Sequence, residues 1–276
     1  MMTLLSPLRV REHCSSSSSC IRCSPVSHSA LESANERRER ARGVGGRNTP
    51  ESIPAADVRR PLSLREAVAL LVRGVGAGLV VALPSDTVYG LACRAGSPRA
   101  LRRVYDAKGR DGGKPLAVCV GDTREVGRLC HVTVSDEVLQ DLLPGPVTLV
   151  FKRKPELHPA LNPSTQLVGV RVPEHAVLRQ LCLQLQEPLA LTSANASAQP
   201  SSLHVHEFRE LWDSLAVVLD GGPLGDPSDP TSRLGSTVID LSMPGSFRII
   251  RAGVACDRTL EILQKKHGLK LDPGTG

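Results

Sequence analysis

The stretch SLREAVALLVRGVGAGLVVALPSDTVYG, residues 63–90, constrains the fold more than any other part of this chain. SLREAVALLVRG reads as a helix: Ser63 stands at the N-cap, Glu66 three residues later completes a capping box, and Gly74 supplies a C-terminal stop. The nine residues that follow, VGAGLVVAL, are almost wholly apolar, and 79–83 reads as a buried strand. Ser85, Asp86 and Thr87 then turn the chain sharply polar. A buried strand that lifts two hydroxyls and a carboxylate at its end has the form of a strand serving a ligand, because open α/β sheets bind ligands at the carboxyl ends of their strands.

The rest of the chain alternates in the same way. A second helix begins at Ser97-Pro98, with Ser as cap and Pro in the first turn, and stops at Gly109. Further strands are expected at 116–120, 147–152, 168–172, 189–191, 216–219, 237–241 and 248–250, and helices at 135–143, 174–185, 204–214 and 259–266. Several strands follow one another directly near the end. The expected fold class is therefore α/β, a twisted mixed sheet (parallel and antiparallel) flanked by helices, preceded by a disordered N-terminal segment. Aromatic residues make up only 2% of the chain, so the core must be built mainly from Leu, Val and Ala. No apolar run approaches the roughly 20 residues that span a bilayer, and no stable membrane insertion is expected. Residues 221–235, GGPLGDPSDPTSRLG, form a loop of unusual length, the kind that is functional, as a lid over a ligand, or a plain surface excursion.

Residues 1–58 are expected not to fold. They carry five consecutive serines and the arginine-dense ERRERARGVGGR, and no aromatic residue. The first sixty residues hold ten Arg, no Lys and six acids, most of the net charge of +6. Arg and Ser richness with a short amphipathic start (Leu4, Leu5, Leu8 and Val10 around Arg9 and Arg11) is the pattern of a mitochondrial transit peptide, and a disordered tail without an address is the alternative. The folded domain is expected at 59–256, with a C-terminal helix and tail at 257–276, and the protein in cytoplasm and mitochondrion. The eight scattered Cys read as reduced thiols rather than a disulfide framework. Cys20-Ile-Arg-Cys23 has no second pair at zinc spacing.

The polar residues at strand ends have one chemical character. Beside Ser85–Thr87 stand Lys108, Arg110 and Lys114 in AKGRDGGKPL, Arg171 interrupting the apolar VGVRVP, Thr192, Ser193 and Asn195 in LTSANAS, Ser236 and Thr237, and Arg251 in IIRAG. Fixed cations with hydroxyls and amides, few acids and no clustered His suit a polyanion such as a nucleoside triphosphate. They suit neither a zinc site nor a carboxylate acid–base pair. GRDGGKP fails the P-loop pattern, and a strand rather than a helix follows Lys114. Each piece also has a plain structural reading: a solvated turn for Lys108, Arg110 and Lys114, a core ion pair for Arg171, a helix cap or Asx-turn for Ser193–Asn195, an ordinary strand position for Thr237.

As a set, the motifs resemble the YrdC-like family of threonylcarbamoyl-AMP synthases. The shared marks are P-T/S-D-T-x-Y-G at 84–90, K-x-R-x-x-x-K-P-L at 108–116, P-G-P-x-T at 144–148, S-x-N at 193–195 and S-T-V-x-D at 236–240. The chain departs from the pattern at Ser85, Asp111 and Ala198, none of which removes an expected ligand group. The resemblance implies a YrdC-like fold and a nucleotidyltransferase that forms threonylcarbamoyl-adenylate and pyrophosphate from L-threonine, bicarbonate and ATP. A downstream threonylcarbamoyl-transferase complex acting on tRNA then uses the product. It also implies Lys108 and Arg110 as catalytic; Arg110, Lys114, Ser193, Asn195, Ser201 and Arg251 as ATP-binding; and Thr87, Cys119, Arg171 and Thr237 as threonine-binding. Mg²⁺ is expected to arrive with ATP, with no other cofactor. The competing readings are a non-catalytic RNA-binding module, disfavoured by the scarcity of aromatics, and a carbamoyl-transfer domain serving another substrate.

Overall fold

The computed structural model describes residues 57–60, 63–109 and 114–273. Among these residues, twelve strands form one sheet. They are β1 (Asp57–Arg59), β2 (Val81–Leu83), β3 (Gly90–Arg94), β4 (Ala117–Cys119), β5 (Cys130–His131), β6 (Val147–Arg153), β7 (Leu167–Arg171), β8 (Leu189–Ser193), β9 (Val217–Leu219), β10 (Thr237–Asp240), β11 (Ser246–Arg251) and β12 (Lys270–Leu271). The α-helices are α1 (Leu64–Gly76), α2 (Pro98–Ala107), α3 (Arg124–Leu129), α4 (Asp136–Leu142), α5 (Ala176–Leu185) and α6 (Cys256–Glu261). The strand order is β1-β9-β2-β3-β8-β4-β7-β6-β10-β11-β12, with β5 paired to β6 outside this path. Pairings are mixed: β4 runs parallel to β7 and β6 to β10, while β3–β8, β4–β8 and β6–β7 are antiparallel.

Local chemistry starts the first two helices as expected. The Ser63 hydroxyl accepts the Glu66 N–H at 3.2 Å, and the Ser97 hydroxyl accepts that of Ala100 at 3.3 Å. Gly74 does not stop α1. The helix runs on to Gly76, and Gly74 is a close-packing residue whose added Cβ would lie 2.8 Å from Val81 Cγ1. Residues 205–214, expected as an α-helix, wind as a 3-10 segment broken at Phe208. Helix α6 passes into a π-helical turn, Ile262–Lys266, whose Leu263 is fully buried in the main core. Asp57 and Val58, assigned from sequence to the tail, are strand residues paired with Val217 and Val218. The transit-peptide expectation for the preceding residues lies outside the described part of the chain.

The two faces of the sheet are covered differently, and this creates the site. Alternate residues such as Val118, Leu149, Phe151, Val170 and Ile239 pack beneath Leu101 and Val104 of α2, Val126 of α3, Leu139 of α4 and Phe208. On the other face, Val81, Leu83, Ala92, Leu189 and Cys119 are covered by Leu71 and Val75 of α1 and by Leu178 and Leu181 of α5. Each Val, Leu, Ile or Phe among them, removed from water, contributes about 1.5–3 kcal/mol of transfer free energy. Helices α1 and α5 pack against each other over part of this second face. Its remainder, over β4, β6, β7 and β10, opens into a cavity. Among the described residues no helix is long and apolar enough to cross a membrane.

Candidate active site

The cavity measures about 690 Å³. Its floor is the side-chain row that alternation points away from the main core: Ala117, Thr148, Val150, Gly169, Arg171 and Val238. Gly169 keeps the floor low, because a Cβ there would come within 2.8 Å of Thr148 Cγ2. The walls are the turn after β2, the segment following β8, and the chain around Ser236 and Arg251.

The turn after β2 is built by its own side chains. The Ser85 hydroxyl donates to the Val88 carbonyl at 2.6 Å and accepts the N–H groups of Thr87 and Val88 at 3.1 and 3.2 Å. Asp86 turns away from the opening. One of its carboxylate oxygens accepts from Arg171 Nη2 at 2.5 Å, and the other accepts the Glu174 N–H at 3.0 Å. Thr87 is left to line the cavity.

Among the described residues, two guanidinium groups line this cavity. The Arg171 side chain is 7% exposed, and its buried Nε has no hydrogen-bond partner among the described residues. Arg251 donates from Nε and Nη2 to the Ser236 carbonyl at 3.2 and 2.9 Å, and from Nη2 to the Ser236 hydroxyl at 3.1 Å. Ser236 in turn shares a 2.9 Å hydrogen bond with Thr148 on the floor. Burial, and then the positive charge of Arg171, depress the pKa of Arg251. Asp86 pairs with Arg171, and no carboxylate pairs with Arg251 among the described residues, so the arrangement favours an entering anion. His175 lies beside this group; burial lowers its pKa, opposed by the charge of Asp86.

The structure sorts the residues expected from sequence. Thr87, Lys114, Arg171, Ser193, Ser201 and Arg251 line one cavity. Arg110 lies outside the described residues. Four others are not among the residues that line the cavity. Lys108 is buried, and its ammonium donates to the carbonyls of Ser193 and Asn195 at 2.6 and 2.7 Å, with Asn195 Oδ1 at 3.4 Å. A buried cation must be satisfied, and this one is satisfied by binding the end of α2 to the end of β8 rather than by facing the cavity. Asn195 uses its amide to bond the carbonyls of Ala196 and Gln199, both at 2.8 Å, and so shapes the loop behind the wall. Cys119 is on the cavity side of the sheet but beneath α5, its sulfur 3.8 Å from that of Cys182. Thr237 faces the opposite side, where its hydroxyl accepts the Ala255 N–H at 3.1 Å ahead of α6. Its neighbour Ser236 lines the cavity instead.

Thr148 and Ser236 were present in the quoted motifs but not assigned to ligand. Strand parity was the signal available: Thr148 stands out of phase with the apolar Val147, Leu149 and Phe151. Gly253 belongs to the same corner. A Cβ there would sit 2.3 Å from the backbone at Ser236 and Thr237, so only glycine lets the chain after β11 pass so close to the Arg251–Ser236 contact.

The family model Sua5_yciO_yrdC, described as telomere recombination, matches residues 75–253. The chain is similar to the Threonylcarbamoyl-AMP synthase of Mus musculus, 54% identical over 82% of this chain and 80% of the mouse protein. It is also similar to that of Homo sapiens, 55% identical over 74% of this chain and 73% of the human protein. Among solved structures, P. abyssi Sua5 complexed with L-threonine superposes with a TM-score of 0.65 at 28% identity, covering 79% of this chain and 62% of that one. E. coli YciO, at 22% identity and a TM-score of 0.61, shares the fold. With its motifs, its mixed sheet and its cavity in that frame, the chain belongs to the Sua5/YciO/YrdC family.

Proposed function

We propose that this chain is a threonylcarbamoyl-AMP synthase, converting L-threonine, bicarbonate and ATP into threonylcarbamoyl-adenylate and pyrophosphate. The observation that carries the reading is the cavity itself, where Arg171 and Arg251 face a shared space with Asp86 as a carboxylate counterion and hydroxyls along the floor and walls. The naming of mammalian relatives supports it.

The threonine amine combines with bicarbonate, losing water, to give a carbamate. A carbamate oxygen then attacks the α-phosphorus of ATP, and pyrophosphate leaves. Such a transfer asks the protein for alignment and charge neutralisation rather than covalent participation. Arg171, fixed on one side by Asp86, lines the cavity and supplies the positive charge that pairs with the threonine carboxylate. Thr87 stands where it can bond the amino acid. Lys114, Arg251, Ser193 and Ser201, with Arg110, hold the nucleotide. Lys108 acts indirectly, by fixing the carbonyls of Ser193 and Asn195. Magnesium enters as part of the MgATP substrate; among the described residues no group of three or more His, Cys, Asp or Glu is arranged to hold a metal ion alone.

The product serves threonylcarbamoyl-adenosine modification of tRNA through a downstream transferase, in cytoplasm and mitochondrion. The reading is tested by pyrophosphate release from ATP by the full chain. Release must depend on both threonine and bicarbonate. Release independent of either would overturn it, and RNA affinity without ATP turnover would favour an RNA-binding module.

A further inference from the structure

Residues 221–235 do not form a loose lid. At their start, the Tyr89 hydroxyl donates to the Gly222 carbonyl at 2.6 Å and accepts the Gly221 N–H at 3.0 Å. The Leu224 N–H then bonds the Leu203 carbonyl at 2.9 Å. At their end stands Arg233. Its Nη1 donates to the Ser201 carbonyl and to Glu207 Oε2, both at 2.7 Å, and its Nη2 donates to Glu207 Oε1 at 3.1 Å. Glu207 Oε2 also accepts the Leu203 N–H at 3.1 Å. The pair therefore ties three pieces of chain together: the segment after β8, the 3-10 segment Val205–Ser214, and the approach to β10.

The position of this knot matters more than its charge. Ser201, Gly235, Ser236 and Arg251 line the cavity, whereas Arg233 and Glu207 do not. The pair sits behind the wall, beside a separate hollow of about 520 Å³ that it shares with Asn195, Gln199 and Ser202. Two residues beyond Arg233, Gly235 takes φ +70 and passes under the Arg251 guanidinium. A shift of Arg233 moves Ser201 directly and moves Arg251 through Gly235 and Ser236. An exposed ion pair would have little influence, but a bidentate pair that also binds two backbone groups holds a fixed geometry.

We propose that Arg233 and Glu207 are a positioning pair for the nucleotide: from outside the cavity they set the spacing between Ser201 and Arg251. This rests on the assignment of those two residues to ATP. Threonine-side groups, Thr87 and Arg171, are held by separate contacts through Ser85 and Asp86 and should be insulated from the pair.

The test uses Arg233→Ala, Glu207→Gln, the double variant and Arg233→Lys in the full chain. ATP affinity is measured by equilibrium titration without threonine. Pyrophosphate release is then followed with ATP or threonine varied, and denaturant midpoints are recorded alongside. Arg233→Ala should weaken ATP binding and raise its KM by about tenfold, the scale of a lost charge-assisted contact, and Glu207→Gln should act in the same direction but more weakly, because its amide oxygen still accepts from the guanidinium. The double variant should cost less than the sum of the two singles, because the ion pair they share is lost only once. Threonine KM and kcat should stay within about twofold, and Arg233→Lys should restore part of the loss, since an ammonium replaces the charge but not the fork. Glu207→Gln keeps shape and volume, so it reports even if Arg233→Ala folds poorly. The proposal is overturned if both KM values rise together, if the single effects add, or if the midpoints fall while ATP affinity stays unchanged. Absence of ATP binding by the unaltered chain would remove the nucleotide assignment and the proposal with it. ATP binding without threonine-dependent turnover would remove only the synthase reading, and the affinities would still decide the role of the pair.

Discussion

The ammonium of Lys108 lies 2.6 Å from the carbonyl oxygen of Ser193 and 2.7 Å from that of Asn195, deep between helix α2 and strand β8. The lysine that the family resemblance implies as catalytic fastens the end of α2 to the end of β8 in this structure. Lys108→Met keeps the bulk but leaves two buried carbonyls without their charged donor. The expected loss is about 2–4 kcal/mol of stability. Denaturant unfolding checks it. An unchanged midpoint together with a large rise in ATP KM would return Lys108 to the ligand.

On the proposed reading, Arg171 binds the substrate carboxylate and is indifferent to the side chain attached to it. Arg171→Ala should therefore reduce efficiency with threonine and with serine by similar factors, roughly tenfold to hundredfold. Thr87→Val, which removes a hydroxyl from the cavity, should narrow the preference for threonine over valine. Asp86→Asn should act in the same direction as Arg171→Ala but more weakly, because the amide oxygen still accepts from the guanidinium. Steady-state pyrophosphate release with the three amino acids decides these points. Unaltered amino-acid use by Arg171→Ala would make the arginine a structural ion pair only.

Alkali should unfold the protein through its buried acids. Burial pushes the thiols of Cys93 and Cys130 up to about 12. It pushes the Tyr89 phenol up to about 12 as well, against the opposing bond from the Gly221 N–H. Folded values above unfolded ones mean that the folded state holds these protons longer. Their contribution is fully present below about pH 8 and is lost as pH rises toward 12, at up to about 1.4 kcal/mol per pH unit for each group. Denaturant midpoints should fall between pH 8 and 11, and replacing Cys93 and Cys130 by Ala should flatten the decline. Midpoints constant to pH 11 would contradict this.

The region before β1 should be dispensable for chemistry. A chain beginning near Ala55 keeps β1 and every cavity residue described, and is expected to release pyrophosphate at the normal rate while failing to enter mitochondria. Lost activity would make the removed region part of the fold. Retained import would dispose of the transit-peptide reading.

What the sequence determined by itself was local or periodic. The caps of α1 and α2 lie within three residues of the groups they bind, so Ser63 and Ser97 were legible without a fold. The apolar run at 79–83 and the order of helices and strands were legible because alternation and helical period are properties of neighbours. Strands β1, β3, β5 and β12 and helix α3 were not, each being six residues or fewer. The site divided along the same line. Residue types and motif order marked out Thr87, Lys114, Arg171, Ser193, Ser201 and Arg251, which line one cavity. Tertiary structure alone decided between Ser236 and Thr237, because adjacent strand residues face opposite sides and only the packing of the sheet says which side is open. It alone turned Lys108 inward, placed α5 over Cys119, and brought Arg233 to Glu207, since these depend on groups distant in sequence and on where two helices leave one face of the sheet uncovered.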